Sequence, residues 1–107
     1  MARTKLNIKY NLNITHIGDT IVEILTVDGY TIHQRGEEYI WEKSTERADA
    51  LYCIKAEMFR NVVSLVGWIK MGIGTPEEAE YEIADPACAE LSNSIRWTMK
   101  RLQTVVK

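Results

Sequence analysis

Leu6-Asn7-Ile8-Lys9-Tyr10-Asn11-Leu12-Asn13-Ile14 alternates apolar and polar residues without a break, and Lys5 and Thr15 extend the polar series at either end. A period of two is that of a strand with one buried face, because successive side chains leave the backbone in opposite directions. Working outward, His16-Ile17-Gly18-Asp19 reads as a loop and residues 20–27 as a second strand. Asp28-Gly29 reads as a two-residue hairpin turn, since both residue types tolerate positive φ. A third strand over 30–35 then turns at Gly36-Glu37 into a fourth over 38–42.

These turns fix a register. Asp28-Gly29 sets Leu25 opposite Ile32 and Glu23 opposite Gln34. Gly36-Glu37 sets Ile32 opposite Trp41, Gln34 opposite Tyr39 and Arg35 opposite Glu38. Pairing Thr15 with Thr20 brings Ile14 to Ile21 and Tyr10 to Leu25. One apolar set, running from Ile8 to Trp41, then shares a face, and a one-residue slip would scatter it. The expectation for residues 1–43 is a four-stranded antiparallel N-terminal meander.

Residues 44–107 read as helical. Ser44 or Thr45 caps a long helix that runs to about Met71, where Gly72 offers a stop. Leu51, Ile54, Met58, Val62, Leu65 and Ile69 form one stripe, with Tyr52, Phe59, Val63 and Val66 beside it. A helix that apolar needs cover from the last helix or from a second copy of the chain. Thr75-Pro76-Glu77-Glu78 opens a short helix to about Ile83, and Asp85-Pro86 opens a final one from Pro86 to near Val106. The core stripe of that last helix is Cys88, Leu91, Ile95, Thr98 or Met99, Leu102 and Val105. The fold class expected is α+β, a single domain over 1–107, with the meander followed by one long helix, a short helix and a C-terminal helix.

The composition is that of a globular domain, with 46% hydrophobic and 26% charged residues. Thirteen Lys and Arg against 15 Asp and Glu give a net charge of −2, which argues against nucleic acid as a partner. No apolar run approaches the roughly 18 residues of a membrane span, and the start MARTKLNIKY lacks a signal-peptide core. A soluble, cytoplasmic protein with no membrane partner is expected. The two cysteines, Cys53 and Cys88, are too few for a disulfide framework.

No catalytic motif emerges. His16 and His33 lack the spacing of metal ligands, and Cys53 and Cys88 form no CxxC pair. The acidic series Glu77, Glu78, Glu80, Glu82 and Asp85 does not match a calcium loop. Gly72-Ile73-Gly74 matches neither phosphate-loop pattern. No catalytic residue, metal or cofactor is expected, and a nucleophile–base pair cannot be assembled, so the chain does not read as an enzyme.

Binding chemistry is concentrated at the end of the chain. Residues 91–107 hold Arg96, Lys100, Arg101 and Lys107 and no acid, while 76–90 hold six acids and no base. Arg96 and Lys100 are i, i+4 neighbours, and Asn93, Trp97, Lys100, Arg101 and Thr104 share one side of the last helix, so Asn93, Arg96, Trp97, Lys100 and Arg101 are the candidate ligand residues. Cations beside an indole and an amide suit a phosphate-bearing ligand with an aromatic ring. The bland alternative is that the cations complement the helix dipole and that Trp97 belongs to the core. Glu23, Gln34 and Tyr39 form a possible polar pocket on the apolar sheet face, or else lie at a wetted rim.

With these elements in order, the chain resembles the Thoeris anti-defence sponge proteins of bacteriophages, in which an N-terminal antiparallel sheet precedes long C-terminal helices. The resemblance implies a homodimer or larger assembly whose interfaces hold cyclic ADP-ribose-type signals without cleaving them. It also implies basic residues one turn apart on the final helix that hold phosphates, and Arg96 with Lys100 is the matching pair. The second position is lysine where that family has arginine, which leaves that contact open. Asn93 and Trp97 suit an adenine contact by chemistry.

Three functions follow as expectations. The first is a non-catalytic homo-oligomer that sequesters a phosphate-containing small molecule such as a cyclic nucleotide-type immune signal. The second is a small phage or mobile-element protein that inhibits a host protein by direct contact. The third is a nucleic-acid-binding module that uses the basic last helix.

Overall fold

Two segments of the chain form helices and six form strands of one antiparallel sheet in the computed structural model, which describes residues 2–10 and 14–106. In chain order they are β1 (Thr4–Lys9), α1 (Ile14–Val27), β2 (Thr31–Arg35), β3 (Glu38–Ser44), β4 (Ala50–Phe59), β5 (Val62–Met71), β6 (Ala79–Tyr81) and α2 (Ser92–Val106), with a 3-10 turn at Pro86–Cys88. The sheet order is β1-β5-β4-β3-β2, and β6 also pairs with β5. The fold is α+β, but not the expected meander followed by three helices.

The first correction concerns residues 20–27, which are helix rather than strand. The alternation ends with β1 at Lys9; Leu12, within the expected first strand, lies outside the described residues. Ile17, Ile21, Ile24 and Leu25 recur at helical spacing and are buried. The β-branched residues of α1 cost about 0.5 kcal/mol each in helix propensity. Burying an Ile or Leu returns roughly 1.5–3 kcal/mol, so packing outweighs local preference. Asp28-Gly29 accordingly ends α1 instead of turning a hairpin: Asp28 N–H donates to Ile24 O at 3.0 Å, and Gly29 takes φ 94°. The expected pairs Leu25–Ile32, Glu23–Gln34 and Tyr10–Leu25 therefore do not form.

The second correction is larger. Residues 50–71 are not one long helix but the hairpin β4–β5, turning at Arg60-Asn61, where Arg60 takes φ 56°. The two strands pair along their full length, from Ala50 with Met71 to Phe59 with Val62. Both faces of these central strands are covered near their middle. Tyr52, Ile54, Leu65 and Ile69 face the helices, while Cys53 and Trp68 are buried on the other side. Central strands buried on both faces read as near-continuous apolar runs, which also fit helical stripes.

The expected short helix after Thr75 is a turn leading into β6, whose Ala79–Tyr81 pairs with Met71 to Ile69. Thr75 Oγ1 donates to Gly72 O at 2.7 Å, closing the connection at glycines with positive φ. The expected final helix is divided. Asp85 accepts from Ala87 N–H at 2.8 Å to open the 3-10 turn, and α2 starts at Ser92. The β2–β3 hairpin does have the register derived above, with Ile32 opposite Trp41, Gln34 opposite Tyr39 and Arg35 opposite Glu38.

Both helices lie on one face of the sheet. Gly18 of α1 meets Met58, Gly29 just beyond α1 meets Lys43, and Gly67 of β5 lies beneath Met99 of α2. The main core joins Ile8, Leu25, Ile54, Leu65, Ile95 and Leu102 across all of these layers.

Candidate ligand site

An isolated helix of the length of α2 is marginal in water, so burial of one face stabilises it. Ile95, Met99, Leu102 and Val106 are buried, as are Cys88 and Leu91 just before them. Val105, assigned to the core stripe from the sequence, is 40% exposed, and Val106 takes its place. The opposite ridge carries Asn93, Arg96, Trp97, Lys100 and Thr104, all exposed. Trp97 is 63% exposed, which removes the core alternative for this indole.

A groove lies on each side of that ridge. The groove between α1 and α2 has a volume of about 440 Å³ and is lined by Thr20, Glu23 and Ile24 on one wall and by Trp97, Lys100, Arg101 and Val105 on the other. The second, of about 370 Å³, lies between α2 and β1 and takes Arg96, Met99 and Lys100 from the helix. Lys100 alone borders both. Arg96 and Lys100 have no ion-pair partner among the described residues, so both charges are available to a ligand.

Arg101 has another task. Its Nη1 pairs with Asp28 Oδ1, and Thr98 Oγ1 donates to Asp28 Oδ2 at 2.9 Å. Asp28 follows the C-terminal end of α1, where a negative charge opposes the helix dipole. Arg101 and Thr98 offset that cost and tie the helices together. Thus the five residues grouped from sequence separate: Trp97 and Lys100 share the α1–α2 groove, Arg96 opens onto the other, Arg101 is occupied, and Asn93 lines neither.

The residues of the possible sheet pocket also part. Glu23 joins the α1–α2 groove, bringing a carboxylate opposite Lys100 that the strand reading of residues 20–27 could not place there. Gln34 and Tyr39 stay paired on β2–β3; Gln34 Nε2 donates to Gly36 O at 3.4 Å, and Tyr39 is exposed beside Lys55.

The opposite sheet face holds a cluster that sequence reasoning missed. Ile40, Cys53 and Trp68 form a small core there, and Arg3 covers the Trp68 ring. Arg3 bonds to Glu80 and Glu38, and Lys55 reaches Glu38 at 2.8 Å. Lys55, and after it Arg3, hold the Glu38 carboxyl down at about 2. Nearby, Glu42 is only 6% exposed and bonds to Arg35 at 2.7 Å, which lowers its pKa. Alternation of Glu38, Ile40 and Glu42 in the sequence was the available signal.

The two cysteines are buried in the fold, and His33 is exposed on β2. Burial pushes the Cys53 thiol up to about 12 and also raises Cys88, whose sulfur lies 3.4 Å from that of Met71. His33 Nε2 is 2.9 Å from Thr31 Oγ1. Among the described residues no group of three or more His, Cys, Asp or Glu is placed to hold a metal, and no helix is long and apolar enough to cross a membrane. Compared with known families and with curated proteins, the chain matches no family model and no curated sequence.

Proposed function

We propose that this chain is a non-catalytic binding protein that sequesters a phosphate-bearing small molecule with an aromatic ring along the exposed ridge of α2. The observation that carries the reading is the pairing, in one groove, of an indole left open to solvent with an ammonium that has no ion pair among the described residues, Trp97 with Lys100. An indole face stacks on a nucleobase, Lys100 takes a phosphate, and Glu23 on the facing wall accepts from an exocyclic amine or sugar hydroxyl. These contacts bind and orient the ligand. The element order behind the resemblance to sponge proteins has been replaced by a different one, so the proposal rests on this chemistry alone.

Self-association, in a cytoplasmic setting, completes the proposal. Its support is β2, a sheet-edge strand with all five residues exposed, next to exposed Tyr39. At the far side of the sheet, where β1 and β6 both pair with β5, β1 carries Lys5 and Lys9, which discourage strand pairing.

The test is calorimetric titration with ADP and cyclic ADP-ribose, alongside native mass spectrometry. Trp97→Ala and Lys100→Ala should each weaken nucleotide binding about tenfold with unchanged thermal midpoints. Equal affinity in both variants, or no binding of either nucleotide, refutes the ligand assignment. A monomer at every concentration removes self-association.

A further inference from the structure

The groove between α2 and β1 has a different chemistry from the one assigned to nucleotides. Its walls are Leu6, Ile83, Ala84 and Met99, and its rim carries Arg96 and Lys100 one helical turn apart. Its volume of about 370 Å³ lies at the low end of small-molecule pockets. The floor is deepened by Gly67: a Cβ there would come within 2.4 Å of Met99 Sδ and 3.0 Å of Ile83 Cδ1. Both side chains sink onto bare β5 backbone, which leaves the space above them open.

The geometry points to a second binding site, for a short amphiphilic anion whose carboxylate lies between Arg96 and Lys100 and whose alkyl chain lies against Leu6, Ile83 and Met99. Two cations without an ion-pair partner among the described residues supply the charge complement, and a carboxylate satisfies both. Stacking chemistry is missing from this groove, because Trp97 lies on the other side of α2. Methionine is the most adaptable apolar wall a protein offers, which suits a flexible chain better than a rigid ring. Lys100 borders both grooves, so the two ligands compete for its charge.

The experiment titrates the protein with hexanoate, octanoate and decanoate below their micelle concentrations, with octanol as the uncharged probe. Affinity should rise about three- to fourfold per methylene while the chain remains inside the groove. Arg96→Gln with Lys100→Gln should cost at least about tenfold for octanoate and leave octanol unaffected. Ala84→Trp, at an exposed position that needs no core rearrangement, should block both probes. Trp97→Ala should leave octanoate binding intact, which separates this site from the nucleotide reading. No dependence on chain length, or octanoate binding unchanged by Ala84→Trp, overturns the assignment.

Discussion

The guanidinium carbon of Arg3 lies 3.7 Å from the centroid of the Trp68 ring, while its nitrogens reach Glu80 at 2.8 Å and Glu38 at 3.0 Å. One side chain ahead of β1 thereby caps the small core on the open face and joins β6 to β3. Arg3→Gln removes the cation–π contact and both ion pairs, and leaves two carboxylates facing the same space. A loss of about 1–2 kcal/mol is expected, read as a lower urea midpoint together with red-shifted tryptophan emission. Arg3→Lys should restore only part, because an ammonium cannot form the planar fork over the ring.

Acid should find the same cluster. In the folded protein the Glu38 carboxyl is held at about 2, by Lys55 first and Arg3 second. Glu80 is lowered by Arg3, and Glu42 by Arg35. Carboxylates with depressed folded pKa values add stability that is fully present above the unfolded value, about 4.3, and lost as pH falls toward the folded one. Urea midpoints should therefore be level from neutrality to about pH 5 and fall steadily below it. Glu38→Gln should flatten part of that slope, and a parallel curve would place the acid sensitivity elsewhere.

Gly67 is needed for want of space rather than for its backbone angles. Gly67→Ala forces Met99 and Ile83 upward and should destabilise the protein by about 1–3 kcal/mol. Combining it with Met99→Ala should cost less than the sum of the single changes, because the second substitution removes the nearest clashing atom. Additive costs in thermal unfolding would show that the two side chains do not compete for this space.

Neighbouring cations of α2 should respond in opposite ways. Arg101→Ala leaves Asp28 with the Thr98 hydrogen bond but no ion pair behind the C-terminal end of α1 and should lower the thermal midpoint by the equivalent of about 1 kcal/mol, with nucleotide affinity little changed. Lys100→Ala should do the reverse. Melting curves and titrations of the same two variants decide the matter.

What the sequence made legible was local. The Gly36-Glu37 turn set the β2–β3 register, and Ile95, Met99 and Leu102 marked the buried side of α2. What it concealed depended on tertiary cover. Ile17, Ile21, Ile24 and Leu25 lie in a β-branched stretch that becomes helical only because a sheet and α2 bury it. Leu51, Tyr52, Ile54, Val63, Leu65, Val66 and Ile69 filled helical stripes on paper because β4 and β5 are covered on both faces. The α2 ridge was visible as a cluster of residue types, but its division into two grooves needed the positions of α1 and β1. Arg3 gave no local signal, since its partners are Trp68, Glu38 and Glu80.

The pairing of β1 with β5 also sets an order of events. The hairpins β2–β3, β3–β4 and β4–β5 join segments adjacent along the chain, so each closes a short loop. Thr4–Lys9 can be paired only when Val62–Gly67 has been made, because its partners run from Gly67 to Val62. Contacts so distant along the chain form late and slow the search for the native state. During synthesis the earliest strand stands idle while most of the domain emerges behind it, and Lys5 and Lys9 then discourage it from joining another chain.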